Sequence, residues 1–268
     1  MPCQSRTDIL TDVKTGTIPE KGMVIFMGLH DILKTASPDN TVNISDLLAR
    51  LHHDVVGTTK NVIDVLTSIV GYRDVGSGEH MRRTRILTEI LVLAMLKSPI
   101  FSEELKALDY MTVIQVSPLH DIGKVGISDA VLLKDGKLSE DEMKVIKTHT
   151  LIGGQIIDSM QQLLDPGYLK CCRDICLYHH ECFDGTGYPY GLKGYDIPLS
   201  ARIVAIVDVY DALTSARPYK KAMCHHDAMI IIADGMGSKF DPNITKIFLE
   251  LENTSGNKLD NLGVGEVS

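Results

Sequence analysis

Residues 80–96 read HMRRTRILTEILVLAML, and this stretch decides the fold class. Leu87, Leu91 and Met95 return at steps of four with a polar face opposite, which is the period of an amphipathic helix and not the alternation of a strand. Ser139-Glu140-Asp141-Glu142 opens a second helix, with Ser139 as N-cap and Glu142 three residues on completing a capping box. The spacing predicts further helices over 167–180, 201–214 and 225–236, and an apolar helix over 114–119. β-branched runs are too few and too scattered for a sheet, although 202–209 has the composition of a buried strand. The expectation is an all-α protein.

Composition bounds what such a protein does. With 268 residues and 44% apolar content, the chain can bury one large core or two small ones. A formal charge of -8 argues against polymeric nucleic acid, which requires a basic footprint, but allows a small phosphorylated ligand. The longest apolar run, Ile86 to Leu96, is interrupted by Thr88 and Glu89 and is far shorter than the roughly 20 residues of a membrane span. Gln4 to Asp8 is followed by no apolar segment of the signal-peptide kind. A soluble, cytoplasmic protein is expected. The six cysteines, at 3, 171, 172, 176, 182 and 224, lack the paired spacing of a zinc ribbon. Cys172 and Cys176, one helical turn apart on an apolar stripe, read as reduced core residues.

Punctuation divides the chain into three parts. Ser37-Pro38-Asp39-Asn40 closes a first segment, 1–43, and the tail over 253–268 has the glycines and polar residues of a frayed end. The body runs over 44–252 and begins with a lead-in helix, 44–70, apolar at Leu47, Leu48, Leu51, Val55, Val62 and Val65. That helix pairs either with its copy in a homodimer or with the body of its own chain.

Histidines and carboxylates fall where packing alone explains them poorly. His80 shares a face with Thr84, Leu87 and Leu91; His149 shares one with Val145, Ile152 and Ile156; His179 continues the stripe of Cys172 and Cys176. Each buried ring needs its own polar partner. Asp121 follows His120 at the end of an apolar helix, and Asp208 lies inside Ile203-Val204-Ala205-Ile206-Val207-Asp208-Val209. A carboxylate buried there is costly unless a cation holds it. That cation is a divalent metal or, for Asp208, an Arg or Lys in a buried salt bridge. Neighbouring helical residues point about 100° apart, so His179 and His180 suit two neighbouring ions better than one. Two metals about 3.5 to 4 Å apart, bridged by a carboxylate such as Asp121, hydrolyse phosphoesters, with a bridging hydroxide as the nucleophile.

His120-Asp121-Ile122-Gly123-Lys124, His179-His180-Glu181 with Asp184-Gly185-Thr186-Gly187-Tyr188-Pro189, and the run from Ile197 to Lys220 resemble the HD-GYP family of cyclic-dinucleotide phosphodiesterases. The likeness covers roughly 64–250. It implies an HD-domain helical bundle with additional C-terminal helices and an N-terminal helical segment. It also implies metal ligands at His80, His120, Asp121, His149, His179, His180 and Asp208, holding divalent iron or manganese, with nickel and zinc also suited to such donors. Lys124 matches the lysine that meets the scissile phosphate, and Asp121 and Asp184 complete the catalytic set; Asp184 either hydrogen-bonds the base or orients the attacking water. Gly185, Tyr188 and Pro189 match the substrate loop, where Tyr188 stacks on a guanine or docks a diguanylate-cyclase domain. Arg217 and Lys220 match residues that grip phosphates, as a guanidinium fork and a point charge do. Glu181 is expected to orient a ligating imidazole.

Two departures from the family qualify these expectations. Many members read Glu-Thr-Gly-x-His before the first ligand, and that glutamate binds a third metal. Here the stretch is Gly76-Ser77-Gly78-Glu79-His80, Gly76 cannot ligate, and Glu79 faces elsewhere on the helix. A binuclear centre follows, giving the linear dinucleotide with or without further cleavage to GMP. Residues 1–43 are also too short for a receiver domain, which leaves a stand-alone enzyme, a remnant or a small regulatory cap. The expected function is metal-dependent hydrolysis of a cyclic dinucleotide, cyclic di-GMP first. A weakly catalytic sensor or cyclase-binding module, and an HD-type hydrolase of another phosphoester, are the alternatives.

Overall fold

The computed structural model describes residues 77–162, 164–216 and 222–254. All of them lie in the second of two compact units, Val56–Ser268. The segment 1–43, the lead-in helix 44–70 with its homodimer, Gly76, Arg217, Lys220 and the tail beyond Thr254 fall outside the described residues. Among those described there are ten α-helices and no strand, only an isolated bridge between Met236 and Phe240. No described helix is long and apolar enough to cross a membrane.

The amphipathic stretch lies in α1 (Ser77–Met95), which buries Met81, Leu87, Leu91, Val92 and Met95, the face its period predicts. α2 (Ser102–Ala107) and α3 (Tyr110–Val116) follow. The apolar helix expected over 114–119 stops at Val116, and a 3-10 segment, Ser117–Gly126, continues from it. Pro118 explains the change, because it has no N–H to give to Ile114 O, which accepts from the Ser117 hydroxyl at 3.0 Å instead. Gly123 explains the direction. A Cβ there would stand 1.8 Å from the carbonyl oxygen of His149, so only glycine lets this segment press on the next long helix.

α4 (Asp129–Leu132) and α5 (Glu140–Lys147) bury none of their residues. Ser139 caps α5 with the expected box: its hydroxyl accepts from Glu142 N at 3.2 Å, and the Glu142 carboxylate accepts from Ser139 N at 2.7 Å. α6 (His149–Ser159) does not continue α5, because Thr148 is the C-cap of one and the N-cap of the other. Val145 is therefore exposed and shares no face with His149, which is buried. α7 (Pro166–Tyr178) starts on Asp165, whose carboxylate accepts from Gly167 N at 2.8 Å. α8 (Leu199–Thr214), α9 (His225–Asp234) and α10 (Pro242–Thr254) complete the set.

α8 is the axis of the bundle and packs against α1, α7, α9 and α10. Residues 199–207 are buried without interruption. A helix buried all round has no polar face to reveal its period, which is why 202–209 resembles a strand in composition. The core joins Leu91 and Met95 of α1 to Leu119, Ile157, Ile175, Ile203, Ile206 and Phe248. Truncating one such residue, Leu91→Ala, costs about 2–5 kcal/mol through the lost transfer energy and the cavity left behind. Cys171, Cys172 and Cys176 belong to this core as free thiols. Burial raises all three thiols, Cys171 to about 12, so they stay protonated and unreactive.

Candidate metal centre

Four elements deliver imidazoles to one point. α1 supplies His80, the 3-10 segment His120 and Asp121, the start of α6 His149, and the end of α7 His179 and His180, while α8 brings Asp208. Tight winding matters in the 3-10 segment, where residues three apart eclipse. His120 Nδ1 thereby reaches Ser117 O at 2.9 Å, and Lys124 Nζ reaches Asp121 Oδ2 at 2.6 Å.

Four of the five rings, those of His80, His120, His149 and His179, are turned the same way. His149 Nδ1 meets Ile146 O at 2.7 Å, His179 Nδ1 meets Ile175 O at 2.9 Å, and His80 Nδ1 meets Asp211 Oδ2 at 2.7 Å. Donation of Nδ1–H outward leaves the Nε2 lone pairs facing inward, the tautomer a metal requires. His80 Nε2 and His120 Nε2 lie 3.2 Å apart, and His149 Nε2 and His179 Nε2 3.5 Å apart. Asp121 stands between the pairs. Its Oδ1 is 3.3 Å from His149 Nε2 and 3.9 Å from His179 Nε2, while its Oδ2 is 3.4 Å from His120 Nε2. The donor atoms thus form two groups that share one residue: His80, His120 and Asp121, and Asp121, His149, His179 and His180.

Asp208 borders the first group, with Oδ1 3.7 Å from His80 Nε2 and 3.6 Å from His120 Nε2. Among the described residues its ion-pair partners are these histidines, and no Arg or Lys holds it. His179 and His180 fall in the same group, which differs from the expectation of one ion each. At the end of α7, His179 is the C-cap and His180 lies in the following turn, and their ring centroids are 4.0 Å apart.

Electrostatics favour cations here. Burial holds His149 and His179 below the usual histidine range and His180 at about 4, so all three are neutral with lone pairs available. Burial also pulls on His120, but the Asp121 and Asp208 carboxylates outweigh it and raise His120 to about 10. Asp121 and Asp208 stay ionised against their own burial, Asp121 through Lys124 and His120, Asp208 through His120. A proton on His120 occupies the place between two carboxylates where a divalent ion would supply charge. Neutral imidazoles with two carboxylates form a donor set that suits iron, manganese, zinc or nickel.

The loop after His180 is built from its own acids. Glu181, expected to orient an imidazole, instead accepts from Tyr190 N at 2.8 Å and Leu192 N at 3.0 Å, and is buried among the turns it ties. Asp184 Oδ1 accepts from Thr186 N at 2.9 Å and from the Thr186 hydroxyl at 2.6 Å, outside both donor groups. Gly185 N donates to Cys182 O at 2.8 Å. A Cβ at Gly187 would stand 2.2 Å from Cys182 N, so this position accepts only glycine. Tyr188, followed by Pro189, does not present a free ring. It stacks on His180 at 4.8 Å between centroids, with the Lys147 ammonium 4.9 Å above it. Burial, with Asp121 and Asp208 nearby, raises its phenol, which keeps its proton. Glu79 is exposed and pairs with Arg82 at 3.2 Å, so it points away from the centre.

Sequence reasoning missed Asp211 and Arg83. Asp211 is 1% exposed and joins His80 to the Arg83 guanidinium, with Arg83 Nε 2.5 Å from Asp211 Oδ1. The signal was available, since Asp211 follows Asp208 by three on one helix and Arg83 follows His80 by three on another.

Comparison with known proteins agrees with this architecture. The HD domain family model matches residues 74–244. A Vibrio cholerae protein named cyclic di-GMP phosphodiesterase is 40% identical over 213 residues, covering 79% of this chain and 43% of that protein. A second Vibrio cholerae protein, named 3'3'-cGAMP-specific phosphodiesterase 2, is 32% identical over 197 residues, covering 74% of this chain and 35% of that protein. The chain thus spans less than half the length of these relatives. A solved structure titled for cyclic GMP-AMP specific phosphodiesterases in Vibrio cholerae shares the fold at a TM-score of 0.50 and 16% identity, over 76% of this chain and 51% of that one. With the family model covering the whole cage, and the His120-Asp121 and Gly187-Tyr188-Pro189 motifs in place, the chain belongs to the HD domain family, in its HD-GYP branch.

Proposed function

We propose that this chain is a metal-dependent phosphodiesterase that opens a cyclic dinucleotide, cyclic di-GMP first, at a binuclear centre. One observation carries the reading: Asp121 turns one carboxylate oxygen to each donor group, Oδ2 to His120 and Oδ1 to His149. A carboxylate so placed can bridge two cations. His80, His120, Asp121 and Asp208 would hold one ion, and Asp121, His149, His179 and His180 the other. Bound there, the ions would act as Lewis acids on the phosphodiester and lower the pKa of the attacking water.

The chain's own residues do the remainder. Lys124, with its ammonium against Asp121, is placed to meet negative charge that develops on the phosphate. Gly185, Tyr188 and Pro189 form one wall of the substrate groove, and Arg217 and Lys220 grip phosphate oxygens. Asp184 shapes that wall through its bonds to Thr186. The outward-facing Glu79 and the glycine at 76 support two ions in preference to three.

A second substrate, 3'3'-cGAMP, is favoured by the 32% identical relative named for it. Incubation with manganese or ferrous iron and each cyclic dinucleotide, with products separated by chromatography, tests both. The expected result is a linear dinucleotide from cyclic di-GMP, absent in His120→Ala. Binding without turnover in every metal would overturn the reading in favour of a sensor.

A further inference from the structure

One imidazole of the cage is held differently from the others. Among the four imidazoles whose Nδ1 contact is seen, His120, His149 and His179 each rest on a backbone carbonyl. His80 alone rests on a carboxylate, Asp211 Oδ2 at 2.7 Å. That carboxylate is itself fixed by Arg83, through Nε to Oδ1 at 2.5 Å and Nη2 to Oδ2 at 3.2 Å. The network is secluded, with side-chain exposures of 12% for His80, 1% for Asp211 and 16% for Arg83. It spans two helices, α1 and α8, and the second also carries Asp208.

A carboxylate behind an imidazole does two things a carbonyl does less well. It locks the ring in one tautomer, and it raises the basicity of the opposite nitrogen toward a metal. Arg83 donates to both oxygens of Asp211 and so fixes the carboxylate against His80. The effect is confined to His80, because His149 and His179 of the other group lean on carbonyls of α5 and α7, Ile146 O and Ile175 O.

We propose that Arg83 and Asp211 form a positioning pair that sets the affinity of the ion held by His80, His120, Asp121 and Asp208, so that the two ions of the centre are lost separately. This rests on the binuclear reading above. The test is metal content per protomer and manganese titration of chelator-stripped full-length protein, with helicity followed by circular dichroism. Wild type should hold two ions. Asp211→Asn should hold one at the same free manganese, with the affected site weakened about 10–100-fold and the remaining dissociation constant within about twofold. Asp211→Asn/Arg83→Gln, which leaves no unpaired guanidinium, should behave the same way if folding is the concern. His180→Ala should weaken the complementary ion, and adding Asp211→Asn to it should empty the centre.

A purely structural role predicts something else: both sites weaken together as helicity falls. Two ions retained at unchanged affinity in folded Asp211→Asn, or both weakened alike, would overturn the proposal while leaving the binuclear reading intact. Wild-type protein that never holds two ions would overturn the binuclear reading and this inference with it.

Discussion

The cage and the loop that follows it contain the same kinds of residue and use them in opposite ways. In the cage, Asp121 and Asp208 face imidazole nitrogens contributed by distant elements. In the loop, Glu181 and Asp184 are claimed by amides and hydroxyls a few residues away. A buried carboxylate takes its role from the donors that arrive first. Where neighbouring backbone N–H groups satisfy it, it builds structure; where imidazoles of other elements converge on it, it can hold a cation.

Breaking the cage should have the largest effect. Asp121→Ala removes the residue common to both donor groups, and kcat/KM for the cyclic dinucleotide should fall about 10³-fold or more, the several kcal/mol that metal charge stabilisation supplies. Metal analysis of the same protein should show both ions depleted; an active, fully loaded variant would erase the distinction between cage and loop.

Proton linkage sharpens the comparison. His120, raised to about 10, binds a proton in the metal-free fold at about pH 8 that an unfolded histidine does not, so it contributes stability that is full below about pH 6.5 and is lost as pH rises toward 10. His180, lowered to about 4, has the opposite sign: its contribution, roughly 3 kcal/mol before partial exposure is discounted, is present above about pH 6.5 and lost as pH falls toward 4. Metal-free protein should therefore be most stable near neutral pH, and metal should remove the alkaline loss by replacing the His120 proton. Calorimetric titration with manganese at about pH 8 in buffers of different ionisation enthalpy should report about one proton released per protomer.

The loop should respond in stability and substrate binding, with metal unaffected. Glu181→Gln replaces two charge-assisted bonds to amides with weaker ones and should cost about 1–3 kcal/mol in denaturant unfolding, with unchanged metal content and a raised KM. Metal loss in this variant would return Glu181 to the role of orienting an imidazole. Asp184→Asn is the smallest change, since an amide oxygen can still accept from Thr186; kcat/KM should stay within about twofold. A loss of about a hundredfold would instead mean that the Asp184 charge meets substrate or water.

Much of the fold and of the cage is legible in the amino-acid order. The period of 80–96 gives α1, Ser139 with Glu142 gives the start of α5, and the positions of His80, His120, His149, His179 and His180 mark the cage. The departures have local causes. Residue spacing carries a helix through Thr148 and through His179 and His180, where caps in fact interrupt it. Residues 199–207, buried without interruption, present no polar face from which to read a period. Glu181 resembles a metal-site acid because its real partners, Tyr190 N and Leu192 N, are backbone groups that no side-chain pattern advertises.

The sequence by itself determined the chemistry available: helices, imidazoles and carboxylates in the order and spacing of the HD-GYP branch. Only the tertiary structure decided which nitrogen of each ring looks inward, which carboxylate is shared, and which acid supports His80. The physical reason is that these outcomes depend on hydrogen bonds between residues far apart in the chain, such as His80 with Asp211. Spacing along one helix can place a donor on a face, but only packing chooses its partner.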